Sequence, residues 1–329
     1  MHIRLFFGVL ALTSCCVPAM GNAGRHASPG EFDHSAAWRA AAAHVLEAQE
    51  DPGSLATAAA LVVAGAPARS KAETPRAAAA VEDAVRASEM APDDPAIGWL
   101  RLELCAADPA CDMREAATTM RWVDADNGAV WLPTLAIAQK DRDTVQVDRV
   151  LADMAEGKRF DIYTNRAAVM MYDALKRVGG RLPARYLPSD LARLNEALGL
   201  AAATFTPSFS PLINACREAG SAERRESCLA LSKTMQKSDA VMAQLVGFAI
   251  EKRLTPVDGR EGRLLAERRR LLEWRMSAAN AAEPLLPWLR NARARARLGR
   301  MRALAREEDV YIALLRQRKM PLEPPEDRR

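Results

Sequence analysis

Histidine is almost missing from this chain of 329 residues: the four present are His2, His26, His34 and His44. A Ser-His-Asp or Cys-His nucleophilic centre needs an imidazole held by the fold, and nothing beyond residue 44 supplies one. Zinc hydrolases draw on two or three histidines, and no H-E-x-x-H occurs. His26, His34 and His44 crowd one end of the chain, two of them in a polar stretch, so no metal site is expected there. Gly-rich phosphate cradles of the G-x-G-x-x-G and G-x-x-x-x-G-K types are absent as well, and so is C-x-x-C. No catalytic residue, cofactor or metal is expected. Aromatics are only 5% of the residues, and beside the basic C-terminal helices they are limited to Trp288 and Tyr311, so nucleic-acid stacking is not expected. Long apolar runs are missing: residues 55–66 and 240–250 are too short to span a bilayer and read as buried helices.

What the chain does have is alanine and leucine within a 49% hydrophobic composition. Both lose little on entering a helix, whereas strands favour β-branched and aromatic side chains. The expected fold class is therefore all-α. Helix starts are marked by capping residues. Ser35 and Ser54 precede apolar runs. Thr74-Pro75 and Asp94-Pro95 combine a cap with a first-turn proline. Asp112 with Glu115 resembles a capping box, and Asn127, Asp143, Ser189 and Ser221 begin further segments. Helices of 12–16 residues with short connections predict antiparallel hairpins stacked as a short α-solenoid, followed by a helical C-terminal part.

The first residues read as an export signal. Arg4 is followed by the apolar run Leu5-Phe6-Phe7-Gly8-Val9-Leu10-Ala11-Leu12 and then by small residues. Two processing routes remain open. Gly21-Asn22-Ala23 suits cleavage before Gly24. Leu12-Thr13-Ser14-Cys15 resembles a bacterial lipobox, which would leave Cys15 as a lipidated first residue and a membrane anchor. Either route leads to the periplasm. The expected organisation is residues 1–23 (or 1–14) as signal, 24–34 as linker, and 35–178 as a helical-repeat region. A Pro/Gly-rich boundary follows at 179–211, then a helical region at 212–320 and an unstructured tail at 321–329. Whether 35–157 and 189–320 form one stack or two domains stays open.

Four cysteines follow the leader, Cys105, Cys111, Cys216 and Cys228, and they allow three pairings. Local pairing is favoured because Cys105 and Cys111 bracket an Asp-Pro turn, and Cys216 and Cys228 bracket Gly220-Ser221. Each bond would tie the end of one helix to the start of the next.

One stretch echoes another. The segment from Pro92 to Leu100, Pro-Asp-Asp-Pro-Ala-Ile-Gly-Trp-Leu, parallels that from Asp124 to Leu132, placing Trp99 and Trp131 32 residues apart, each just after an acidic turn. In its Trp-x-x-Leu opening (Trp99, Leu102) and in the spacing from Asp124 through Asn127 to Trp131, the chain resembles the tetratricopeptide-repeat family over residues 74–157. It departs from that pattern at Glu103, Ala106 and Pro133, and in its period of 32 rather than about 34. The resemblance implies stacked helical hairpins with a concave surface for a peptide or protein partner. Trp99, Trp122 and Trp131 could line such a groove, although aromatics so placed more often wedge into the core.

Charge is uneven. Residues 260–329 hold 18 Lys/Arg against 10 Asp/Glu, while the whole chain is only +4. Arg293, Arg297 and Arg300 fall at i, i+4 and i+7 and share one helical face, with Arg295 and Arg302 on another. Arg263–Glu267 and Arg269–Glu273 have ion-pair spacing. Such a basic face can contact anionic lipid or an acidic protein; with few aromatics and an export signal, nucleic acid is not an expected partner. Carboxylate chemistry on cell-wall glycan is the one enzymatic alternative, since it needs no histidine. Its only trace is Glu226-Ser227, which superficially matches the start of a lytic-transglycosylase motif and lacks the Gly-rich continuation. The expected function is a non-enzymatic, exported interaction scaffold or adaptor, with the glycan enzyme and the anionic lipid or polymer contact as alternatives.

Overall fold

In a computed structural model, residues 29–65, 74–108, 110–179, 181–182, 189–217, 220–256, 258–282 and 290–325 are described. The segment expected as an export signal, Cys15 included, lies outside them. Among the described residues the protein is all-α: fifteen α-helices, no strand, and a single isolated bridge between Asn127 and Arg159. No helix among them is long and apolar enough to cross a membrane.

Asp94, Asp112, Asn127, Asp143, Ser189 and Ser221 act as caps as expected, whereas Ser35, Ser54 and Thr74 lie inside their helices. Helix α1 (Pro29–Glu47) begins within the stretch expected as linker. Helix α2 (Pro52–Gly65) starts three residues earlier than a cap at Ser54 would place it, because the Asp51 carboxylate accepts the Ser54 N–H at 3.0 Å and Pro52 fills the first turn. Helix α3 (Thr74–Met90) leads to α4 (Pro95–Ala107), where Asp94 accepts from Ala96 N and Ile97 N. Helix α5 (Met113–Val123) is capped by Asp112; Glu115 does not close the box but turns to Arg101 and Thr119. Asn127 caps a 3-10 turn, Gly128–Trp131, not an α-helix. That turn is how the chain accommodates Pro133, which then sits in the first turn of α6 (Leu132–Lys140). Asp143, Ser189 and Ser221 cap α7 (Thr144–Glu156), α9 (Asp190–Phe205) and α11 (Ala222–Met235). The remaining helices are α8 (Thr164–Val178), α10 (Ser210–Arg217), α12 (Val241–Leu254), α13 (Arg260–Ala281), α14 (Arg290–Ala303) and α15 (Glu307–Gln317).

Sequential helices pack as hairpins from α1 through α5, then α6 with α7, α8 with α9, and α11 with α12. The stack also folds back on itself. Helices α8 and α9 lie on α2 and α4, α14 lies on α8 and α9, and α11 lies on α7. One continuous apolar cluster consequently runs from Ala42 to Val310. The Pro/Gly-rich stretch expected as a boundary contains α9, whose Leu194, Ala197, Leu200, Ala201 and Phe205 are buried in that cluster.

Helix α13 stands apart. It packs chiefly on α12 and α15, through two small clusters separate from the main core. Leu265 and Leu272 meet Val241 and Phe248, while Ala278, Ala279 and Ala282 meet Leu314 and Leu315. Met320 and Leu322 pack on the second cluster, so the first part of the expected unstructured tail, residues 321–325, follows the protein surface.

Candidate functional site

The residues singled out from sequence do not converge on one place. Trp99 is wholly buried and its indole N–H donates to the Phe205 carbonyl at 3.0 Å, so it wedges α4 against α9 and lines no groove. Trp131 is half-buried at the end of the 3-10 turn, beneath the Arg121 guanidinium 4.7 Å from its ring centre. Trp122 is instead 85% exposed on α5. Glu226 is an exposed residue of α11. His44 is exposed beside Glu47. No group of metal-binding side chains occurs among the described residues.

On α14, Arg293, Arg297 and Arg300 do share a face. It adjoins the apolar stripe of Ala294, Leu298 and Met301, so all three arginines are half-buried. Arg300 donates to Gln317 at 2.9 Å, and the charge of Arg297 acts on Glu307. On the outer face, Arg295 pairs with Asp190 at 3.3 Å and Arg302 with Asp173. Spacing placed these cations on common faces; only the packing shows that acidic residues of other helices meet them.

The cysteines pair locally. Cys105 at the end of α4 bonds Cys111 just before α5, and Cys216 in α10 bonds Cys228 in α11. Disulfides form and persist in non-reducing compartments, which fits an exported protein.

Two places gather polar chemistry. The first is a buried junction of four connections. Asn127, with no exposed surface, donates to Asp124 at 2.8 Å and to the Asp161 carbonyl at 2.9 Å, and accepts from Asp161 N and Ala129 N. Tyr163 and Arg159 both donate to Asp124. The Asp239 carboxylate accepts the N–H groups of Ile162 and Tyr163 at 2.9 and 2.7 Å, where α8 begins with Tyr163 in the left-handed region (φ 59°). Glu307 accepts Val241 N at 2.7 Å and so caps α12, whose own Ala240 cannot. Gly128 is required here: a Cβ would lie 2.6 Å from the Met154 carbonyl. Burial raises the pKa values of Asp124 and Glu307; burial together with nearby Asp161 pushes Asp239 up to about 8, despite the N–H groups it receives. Asn127, Asp124 and Asp239 are buried and bonded within the junction, while Arg159 reaches solvent at its edge, so this junction holds helices together rather than receiving a ligand.

The second place is open. Clefts flank the seam between α12 and α13 on both sides and share Phe248. One, of about 420 Å³, is lined by Lys233 of α11 and Lys237 of the turn after it, Arg268 and Arg275 of α13, and Glu308 of α15. Phe248, Leu271 and Leu272 line it as well; Phe248 and Leu272 are buried and Leu271 half-buried, so they form its apolar floor. Arg268 is steadied by Gln236 at 3.0 Å and by Glu251 at 3.7 Å; Arg275 is steadied by Glu308 at 2.7 Å and the Leu322 carbonyl at 3.3 Å. Lys233 and Lys237 are exposed and make no ion pair among the described residues. The other cleft, of about 510 Å³, has Lys252, Arg263, Arg269 and Arg270 against Glu273. Of the two ion pairs expected from spacing, Arg269–Glu273 forms at 2.8 Å, whereas Arg263 turns to the Asp258 carbonyl. Sequence reasoning missed both clefts. The run Arg268-Arg269-Arg270 was a visible signal, but its three side chains divide between the two sides of one helix, and the lysines come from α11, the turn after it and α12.

Comparison with protein families, with curated proteins and with solved structures finds no match to this chain.

Proposed function

We propose that this protein is an exported, non-enzymatic interaction protein of the bacterial envelope, a scaffold or adaptor that binds a protein partner through the cationic surface around α13. The observation that carries this reading is the arrangement of α13: a helix outside the main core, with open cationic clefts on both flanks. Pockets of a few hundred Å³ with an apolar floor and a few polar groups are the usual form of a binding site. Each cleft offers cations and apolar surface with a single lining carboxylate, Glu308 in one and Glu273 in the other, and the absence of a carboxylate pair among the lining residues favours binding over two-carboxylate glycan cleavage. The tetratricopeptide-like reading of residues 74–157 belongs to the same proposal, as the hairpin scaffold from which the surface is presented. Periplasmic location follows from the signal segment, with Cys15 as the lipidation candidate that would hold the protein at a membrane.

Covalent cross-linking in native envelopes, followed by mass spectrometry of bait and partners, tests this. A defined protein cross-linked near α11–α13 is the expected result, and the bait's mass reports whether Cys15 carries acyl chains. Cross-links to lipid or glycan alone would overturn the protein-partner reading.

A further inference from the structure

The two clefts are not equivalent, and the 420 Å³ cleft carries a more specific assignment. Resting on the interaction reading above, we infer that it receives an acidic polypeptide segment that inserts one large apolar side chain against Phe248 between flanking carboxylates.

The argument begins with the cations. Arg268 and Arg275 are held in place by internal partners, so they meet a ligand without losing much side-chain freedom. Lys233 in the last turn of α11 and Lys237 in the turn that follows it are exposed and without an ion pair among the described residues. Four cations then face a single lining carboxylate, Glu308, which Arg275 and Arg306 already engage. An anionic ligand matches that imbalance. The floor narrows the choice. Phe248 and Leu272 line the cleft while only 5% and 3% exposed, and the Arg268 guanidinium lies over the Phe248 ring, 6.0 Å from its centre. A bilayer surface cannot reach apolar groups at the bottom of a concavity, since membrane-binding elements present a protruding apolar face. A polyanionic glycan would satisfy the cations and leave the floor uncovered. A polypeptide carries both carboxylates and an apolar side chain at neighbouring positions, and a volume of about 420 Å³ is in the range of pockets that take such groups.

The test is fluorescence anisotropy with the disulfide-intact mature chain. The probe is a labelled heptapeptide of aspartate and glutamate with phenylalanine at its centre. Its comparators are the same peptide with alanine at the centre and phosphatidylglycerol vesicles. The probe is expected to bind, and the alanine peptide to bind several-fold more weakly. The double variant Lys233→Glu, Lys237→Glu is expected to lose about tenfold or more in affinity, a factor of ten being about 1.4 kcal/mol. Both lysines are exposed, so the variant should keep its helical circular dichroism; Lys140→Glu, an exposed lysine of α6 that lines neither cleft, should bind as the parent does. No binding of the probe, equal affinity for the two peptides, no effect of the double variant, or preference for the vesicles would each overturn the assignment. If envelope cross-linking still captures a protein through another surface while these titrations fail, only this assignment falls. If it captures none, the interaction reading falls with it.

Discussion

Asn127 shows how one side chain can set the geometry of several elements. Its amide donates to Asp124 and the Asp161 carbonyl and accepts from Ala129 and Asp161, all without exposure to water. Truncation leaves two backbone N–H groups without their acceptor, and each such orphan costs about 1–3 kcal/mol. Asn127→Ala is expected to lower stability by roughly 2–4 kcal/mol, seen as a lower urea midpoint at unchanged slope; a loss below about 0.5 kcal/mol would show that water replaces the amide. Sequence reading identified Asn127 as a cap, and it caps the 3-10 turn, but its bonds to Asp161 and Tyr163 join segments more than 30 residues apart. Glu103 behaves differently. Burial alone pushes its carboxyl from 4.5 up to about 8. A raised carboxyl pKa contributes stability that is complete below about 4.5 and is lost as pH rises through about 8. Glu103→Gln should match the parent near pH 4 and become progressively the more stable of the two up to pH 8, measured by thermal unfolding across that window.

At the scale of elements, the disulfides and the helix contacts are separable. Cys105–Cys111 and Cys216–Cys228 close short loops, with sequence separations of 6 and 12. Loops of this size restrict the unfolded chain by about 2–3 kcal/mol each. Replacing Cys216 and Cys228 together by alanine should lower the unfolding free energy by about that amount and leave the helical dichroism intact. Helices α11 and α12 also approach closely at Gly247, where a Cβ would lie 2.8 Å from both Met235 Cβ and the Ser232 carbonyl. Gly247→Ala should therefore cost about 1–3 kcal/mol by forcing the hairpin apart. Gly199→Ala in α9, where nothing lies within 4 Å, should instead stabilise by about 0.5–1 kcal/mol through helix propensity. Thermal melts of the two single variants should move in opposite directions.

At the scale of the molecule, the return of α8, α9 and α14 onto the first helices joins both halves of the chain through one apolar cluster. A solenoid of nearest-neighbour contacts could unfold repeat by repeat, whereas this arrangement ties distant segments together. Residues 24–329 are expected to unfold in a single calorimetric transition, and residues 212–329 expressed alone should lack a cooperative one. Two independent transitions with a break near residues 179–211 would show that the return packing contributes little. Helix α13, held by two small clusters, should exchange its amide hydrogens before α4 or α8 do.

By itself the sequence determined what depends on neighbours along the chain. Alanine and leucine content set the helical class, and Asp94, Asp112, Asp143, Ser189 and Ser221 set helix starts, because capping is a bond across two or three residues. The cysteine pairing was legible for the same reason: each bond spans one turn. Tertiary structure decided everything that rests on distant partners. It buried Trp99 under Phe205, placed Asp190 and Asp173 beside Arg295 and Arg302, and brought Lys233 and Lys237 to a cleft with Arg268 and Arg275. Helical periodicity tells which residues share a face, but not what that face meets. The charge of a surface depends on the packing that leaves some cations paired and others open to solvent.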